Sequence, residues 1–118
     1  MFEQSFAIIE RMINIDDFSK VEMSVGKILE AEPVIGSEKL LKLKVDFGEE
    51  APRQVLSGIA KWYQPSDLID KSYVFVTNLE VRVMMGLESQ AMILAAHDGE
   101  DLSIITPNKE AKPGTRIG

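Results

Sequence analysis

Residues Leu41 to Phe47 alternate strictly: Leu41, Leu43, Val45 and Phe47 are apolar, and Lys42, Lys44 and Asp46 between them are charged. Successive side chains of an extended chain point to opposite faces, so a period of two writes a strand with one buried face and one wet face. The centre of the chain therefore predicts a sheet whose apolar side must be covered.

The neighbouring segments repeat that solution. Val21, Met23 and Val25 alternate with Glu22 and Ser24, a half-buried strand ending near Pro33, in which Gly26 predicts a bulge or a bend at a barrel corner. Ile35-Gly36-Ser37 reads as a loop, and Gly48-Glu49-Glu50 turns into a third strand over Arg53 to Ser57. Gly58 to Leu68, with Trp62, Tyr63 and a Pro65-Ser66-Asp67 turn, predicts a short helical or irregular crossover over one barrel end. Its two aromatics are suited to packing, with stacking on bases as the alternative. Tyr73 to Thr77, apolar throughout its interior, predicts a central fourth strand, and Gln90 to Ala96 a fifth. Asp98-Gly99 then turns into Leu102 to Thr106, and Pro113-Gly114 makes a last turn before Ile117. Short strands punctuated this regularly predict an all-β fold, a small five-stranded closed barrel with a C-terminal strand or turn extension.

Ahead of the barrel, Phe2, Phe6, Ile9 and Ile13 stand four, three and four apart, the stripe of an amphipathic helix. So short a helix must dock its stripe, either on the open end of its own barrel or, the favoured reading, on a second copy of the chain. The division is an N-terminal helix over residues 1–14 and a barrel domain over 15–118. Phe18 is expected to return the chain to the core.

The stretch from Asn78 to Ala96 joins two apolar runs through Gly86-Leu87-Glu88-Ser89-Gln90. A polar connection between core segments is either a plain hairpin or a place where binding groups are displayed.

Sequence chemistry narrows the function by what it lacks. There is no cysteine, hence no disulfide or thiolate metal site, and the single histidine, His97, stands beside the turn residues Asp98-Gly99. Phosphate-cradling glycine motifs and the nucleophile elbow are missing, so no catalytic residue, metal or cofactor is expected. The longest apolar runs fall short of the roughly 18 residues of a membrane span and the N-terminus lacks a signal-peptide pattern, which predicts a cytoplasmic protein with no membrane partner. Net charge is -6, against the basic footprint of a nucleic-acid binder. The acidity is uneven, however: residues 1 to 38 hold 3 basic and 8 acidic groups, whereas residues 39 to 82 hold 7 and 6. A locally basic face remains available in the middle segment.

A second pattern overlies the strands. Asn78-Leu79, Arg82, Gly86, Glu88-Ser89-Gln90, Met92 and Leu94-Ala95-Ala96 resemble the signature of the tRNA-binding domain found at the C-terminus of many methionyl-tRNA synthetases and as stand-alone proteins. Asp17-Phe18, Lys20-Val21, Val25-Gly26-Lys27-Ile28, Ser37-Glu38-Lys39-Leu40-Leu41-Lys42-Leu43, Asp46-Phe47-Gly48, Ser57-Gly58-Ile59-Ala60 and Lys112-Pro113-Gly114 extend the match in unbroken order over about residues 16 to 118. Each motif is short; their ordered series is specific.

The resemblance implies an OB-fold that binds tRNA by shape rather than sequence, commonly as a homodimer, and that assists a methionyl-tRNA synthetase without catalysing anything. By position, Ser89 and Gln90 match the family's Ser-Gln loop and Met92 a position at the edge of the binding face. Asn78 and Arg82 lead into that loop, and Lys27, Lys39 and Lys42 would supply phosphate attraction from the first two strands. The alternatives are a solvated face for the lysines, a turn-satisfying hydroxyl for Ser89 and core filling for Met92.

This chain also departs from the pattern. Many relatives carry Pro-Arg-Lys where it has Val81-Arg82-Val83, an arginine at the place of Ser24 and a glycine at the place of Ala91. The loss of two positive charges implies weaker RNA binding and keeps a second reading open: a dimeric OB-fold protein-interaction module, chaperone-like and export-associated.

Overall fold

A computed structural model describes the chain from residue 10 to residue 118. The stripe positions Phe2, Phe6 and Ile9 lie outside the described residues. Residues 10 and 11 are helical and 12 to 14 are not. A short helix, α1 (Ile15–Ser19), follows, capped by Asn14, whose Oδ1 accepts from Asp17 N at 2.8 Å. No residue of α1 is buried, and Phe18 is 41% exposed rather than inserted in the core as the sequence suggested.

The barrel is built on one long strand, β1 (Met23–Pro33), which pairs antiparallel with β2 (Leu41–Asp46) and β4 (Ser72–Val76). β3 (Arg53–Ser57) joins the outer side of β2, giving the order β3-β2-β1-β4-β7, with β7 (Met92–Ile93) beyond β4. Leu41, Leu43 and Val45 all point inward and are buried, as their alternation requires. They meet Ile28, Val55, Phe75 and Leu68 in one core.

Gly26 does not form the bulge. The register slips between Ile28 and Glu30, so the extra residue is Leu29. Gly26 is small because a Cβ there would stand 2.5 Å from Val45 Cγ1 and 2.6 Å from Phe47 Cε1. It gives clearance to the edge-to-face pair of Phe47 and Phe75, whose ring centroids are 5.2 Å apart.

The crossover after β3 carries α2 (Pro65–Leu68), and both aromatics before it are packing groups. Trp62 Nε1 donates to Glu100 O at 2.9 Å, and Tyr63 Oη accepts from Ile104 N at 3.1 Å. The stretch Gly86 to Gln90 belongs to a hairpin of β5 (Arg82–Met84) and β6 (Leu87–Ser89), turned at Met85 and Gly86, whose φ values are 53° and 76°. Two successive positive φ values give the tight turn that matches strand twist.

The segment expected as one strand over Gln90 to Ala96 divides into β7 and β8 (Ala95–Asp98). Leu94 is the corner: its N–H donates to Val74 O at 3.0 Å and its carbonyl accepts from Ile105 N at 2.9 Å. There the chain leaves β4 and pairs instead with β9 (Asp101–Ile104). Finally β10 (Arg116–Ile117) returns to the start of β1, with Arg116 opposite Ser24. It can approach because Gly114, at φ 88°, passes in contact with the carbonyl of Phe47, where a side chain would collide.

Candidate functional site

The structure distributes the sequence-predicted residues over separate places. Lys42 lines a groove between the loop of residues 34–40 and the β5–β6 hairpin, whereas Lys39 stands on that loop outside the lining. This groove, of about 550 Å³, is lined by Val34, Ile35, Met85 and Leu87 with Glu32 and Lys42 at its polar side. Ile35 is 98% exposed at its rim. The loop is stiffened by Ser37, whose Oγ accepts from Lys39 N and Leu40 N at 3.3 and 3.2 Å, and by Ala60 N donating to Lys39 O at 3.1 Å. Lys39 itself is exposed and in no ion pair among the described residues.

Lys42 is not a free charge. Antiparallel register sets it opposite Glu32, and Nζ lies 2.7 Å from Oε1; Lys44 is likewise opposite Glu30, at 4.0 Å. The hydrogen bond and the charge of Lys42 hold the Glu32 carboxyl below its ordinary value. The wet face of β2 is thus a charge-compensated ladder and not a basic stripe.

Ser89 and Gln90 stand at the seam where β3 meets the end of β6. Ser89 is 4% exposed. Its Oγ accepts from Leu56 N at 3.0 Å and donates to Ala91 O at 3.1 Å. Gln90 takes both backbone groups of Gln54: Gln90 N donates to Gln54 O, and Gln90 Oε1 accepts from Gln54 N, each at 2.8 Å. Two side chains therefore replace ladder hydrogen bonds and close the barrel. Asn78 is likewise engaged, its Oδ1 accepting from Glu22 N at 2.9 Å and its Nδ2 donating to Lys20 O at 2.6 Å, which clasps the entry of β1.

Arg82 and Met92 remain at the surface beside this seam, sharing with Leu79 and Glu80 a small cleft of about 30 Å³. Arg82 is exposed and forms no ion pair among the described residues. Val81 and Val83, flanking it, are exposed apolar groups. Lys27 is apart from all of these: it pairs with Ser72 and Asp46 five residues before Glu32, roughly 17 Å away along β1.

One residue central to this region has no sequence motif. Arg53 grips both carboxylate oxygens of Glu49 at 2.8 Å, donates to Thr77 O at 2.7 Å and to Gln90 O at 3.2 Å, and lies 5.4 Å above the Phe47 ring. It ties β3, the end of β4 and the seam together.

A family model described as "Putative tRNA binding domain" matches residues 23–116. The chain belongs to this tRNA-binding domain family. It is 51% identical over 106 residues to a methionine–tRNA ligase of Methanoregula boonei, and 46% over 108 residues to one of Thermotoga maritima. Those matches cover 90% and 92% of this chain but only 16% and 17% of the ligases, so the chain spans about a sixth of these relatives. What it shares with them is the binding domain and not a catalytic one. Among solved structures, a MetRS related protein from Pyrococcus horikoshii superposes with a TM-score of 0.86 at 35% identity, covering 92% of this chain and 99% of that one. A chaperone CsaA from Bacillus anthracis superposes with a TM-score of 0.81 at 30% identity, covering 91% and 99%.

Among the described residues no group of three His, Asp or Glu side chains is placed to hold a metal ion. No helix among them is long and apolar enough to cross a membrane.

Proposed function

We propose that this domain binds tRNA by its shape and raises the tRNA affinity of a methionyl-tRNA synthetase, as part of that enzyme or beside it, in the cytoplasm. The observation that carries the reading is the family match across the whole barrel, and beside it stand two exposed cations in no ion pair among the described residues, Lys39 on the 34–40 loop and Arg82 on the β5–β6 hairpin. Barrels of this type bind polynucleotides between such loops. Lysine and arginine supply phosphate attraction, and with so few free charges the interaction is weak and salt-sensitive. Ser89, Gln90 and Asn78 support it indirectly, by fixing the hairpin and the β1 entry that carry the surface groups. Met92 contributes an apolar edge beside Arg82.

The domain acts as a homodimer in this proposal. Ile13, the last residue of the sequence stripe, is exposed, and so are its apolar neighbours Met12 and Ile15. Deleting residues 1–13 should lower the mass seen in light scattering to that of one chain, and an unchanged mass refutes the dimer contact.

The deciding experiment is fluorescence anisotropy of labelled tRNA at two salt concentrations, with double-stranded DNA as control. Saturable binding that prefers tRNA and weakens with salt supports the proposal; absence of binding at low salt refutes it. A second reading, a chaperone-like protein-interaction module, is favoured by the apolar lining Val34, Ile35, Met85 and Leu87. Binding of an unfolded polypeptide by the same preparation, in place of tRNA, would decide for it.

A further inference from the structure

A second groove runs along the flank of the barrel that carries Lys27, away from the 34–40 loop. One wall is the start of β4, residues 70–72; the other is the extended segment of residues 106–113 that leads to β10. Two adjoining hollows of about 390 and 430 Å³ share Asp70, Ser72, Glu110 and Ala111, so they form one continuous trough. Its charged lining comprises Lys27, Lys71, Lys109 and Lys112 against Asp70 and Glu110. Four lysines to two carboxylates is a local excess of positive charge on a chain whose net charge is -6.

The excess is not consumed internally. None of the four lysines forms an ion pair among the described residues, in contrast to Lys42 and Lys44 on the wet face of β2. The walls are held by backbone contacts that leave the lysine heads out. Ile28 N donates to Lys71 O and Asp70 N to Ile28 O, fixing one wall to the β1 bulge. Thr106 Oγ1 donates to Ser72 O at 2.8 Å across the trough, and Thr115 N and Oγ1 both donate to Lys112 O, fixing the other. Both walls are thereby preformed, and ordering them on binding costs little.

We propose that this trough is a second contact surface for the phosphodiester backbone of the bound RNA. This rests on the tRNA-binding reading and extends it. All four cations are lysines, compact point charges on flexible stems, without the arginine fork that reads base edges or clamps one phosphate bidentately. Such a set attracts a chain of phosphates without selecting sequence. The trough is lined mostly by exposed residues, open to a strand of backbone and not closed around a small anion. It also supplies charge that the hairpin face lacks at Val83.

The test is a salt titration of tRNA binding by the whole chain, read by anisotropy. The triple variant Lys71→Ala/Lys109→Ala/Lys112→Ala removes three exposed side chains and should retain its melting temperature. Its plot of log affinity against log salt should flatten by about 2 to 3 units, with affinity falling at least tenfold at low salt. Glu110→Gln removes a repelling carboxylate and should steepen the plot and tighten binding. Lys61→Ala, a cation outside the trough, should leave the slope unchanged. A triple variant with the wild-type slope, while Arg82→Ala still weakens binding, overturns the trough but leaves the tRNA reading standing. An equal effect of Lys61→Ala per charge would mean a general field and likewise overturns it. Equal losses with double-stranded DNA overturn the assignment to RNA, and a wild-type chain that binds no tRNA overturns both proposals.

Discussion

Lys42 and Glu32 face each other across β1 and β2 with Nζ 2.7 Å from Oε1, so the cation nearest the groove is already answered by a carboxylate. A phosphate arriving there competes with Glu32 and gains less than the lysine's position suggests. The pair is solvent-exposed and worth little to stability. Glu32→Gln should therefore leave the melting temperature nearly unchanged and increase tRNA affinity severalfold, steepening the salt slope by up to about one phosphate contact. Unchanged affinity in that titration would mean Lys42 lies off the binding path.

Ser89 separates a structural role from a ligand role. Its hydroxyl accepts from the buried Leu56 N–H, so Ser89→Ala strands a donor at a cost of about 1 to 3 kcal/mol. Thermal unfolding should show the loss, at roughly 4 °C per kcal/mol for a domain of this size. Well below the lowered melting temperature, the salt slope of tRNA binding should match the wild type. A variant with intact stability and a flattened slope would return the hydroxyl to the RNA interface.

Arg53 and Glu49 make the fold acid-sensitive in a defined window. The hydrogen bonds from Arg53 hold the Glu49 carboxyl below its ordinary value of 4.5, and the guanidinium is raised in turn. A carboxyl depressed in the folded state adds stability above its unfolded value, and that stability is lost as pH falls through the lowered folded value. Glu49→Gln should thus be less stable than wild type at pH 7, by less than about 1 kcal/mol because the pair is partly exposed, and the difference should close below pH 4.5. Urea unfolding at pH 7 and at successively lower pH below 4.5 follows the difference as it closes.

The sequence disclosed most where side-chain period alone decides the outcome. β3 has the predicted bounds, and Leu41, Leu43 and Val45 are buried as read, because burial of one face follows from alternation. What it hid depends on register. That Lys42 meets Glu32 follows from a pairing fixed partly by the bulge at Leu29, which no local motif marks. Gly26 is legible as special but not why, since the rings it clears arrive from elsewhere in the chain, Phe75 from β4 and Phe47 from just beyond β2. Ser89 and Gln90 are legible as a motif, but their place in the seam is not: a polar pair in a short connection reads the same whether it faces solvent or substitutes for a strand ladder.

Val83 offers a direct way to raise the charge of the hairpin face. It is 67% exposed on β5, flanking Arg82, where the resemblance implies lysine in many relatives. Val83→Lys adds no buried charge and leaves the β5–β6 hydrogen bonds intact, so the fold should tolerate it within about 0.5 kcal/mol. Register sets Val83 opposite Glu88, however, and cross-strand neighbours of opposite charge attract. The introduced cation will then be shared between Glu88 and RNA, repeating the compensation seen at Lys42. Val83→Lys alone should tighten tRNA binding modestly, by less than one full phosphate contact, whereas Val83→Lys with Glu88→Gln should gain a further step in both affinity and salt slope. If neither variant alters the anisotropy titration while both remain folded, the hairpin face is not where the RNA lies, and the trough beside Lys71 and Lys109 becomes the principal surface.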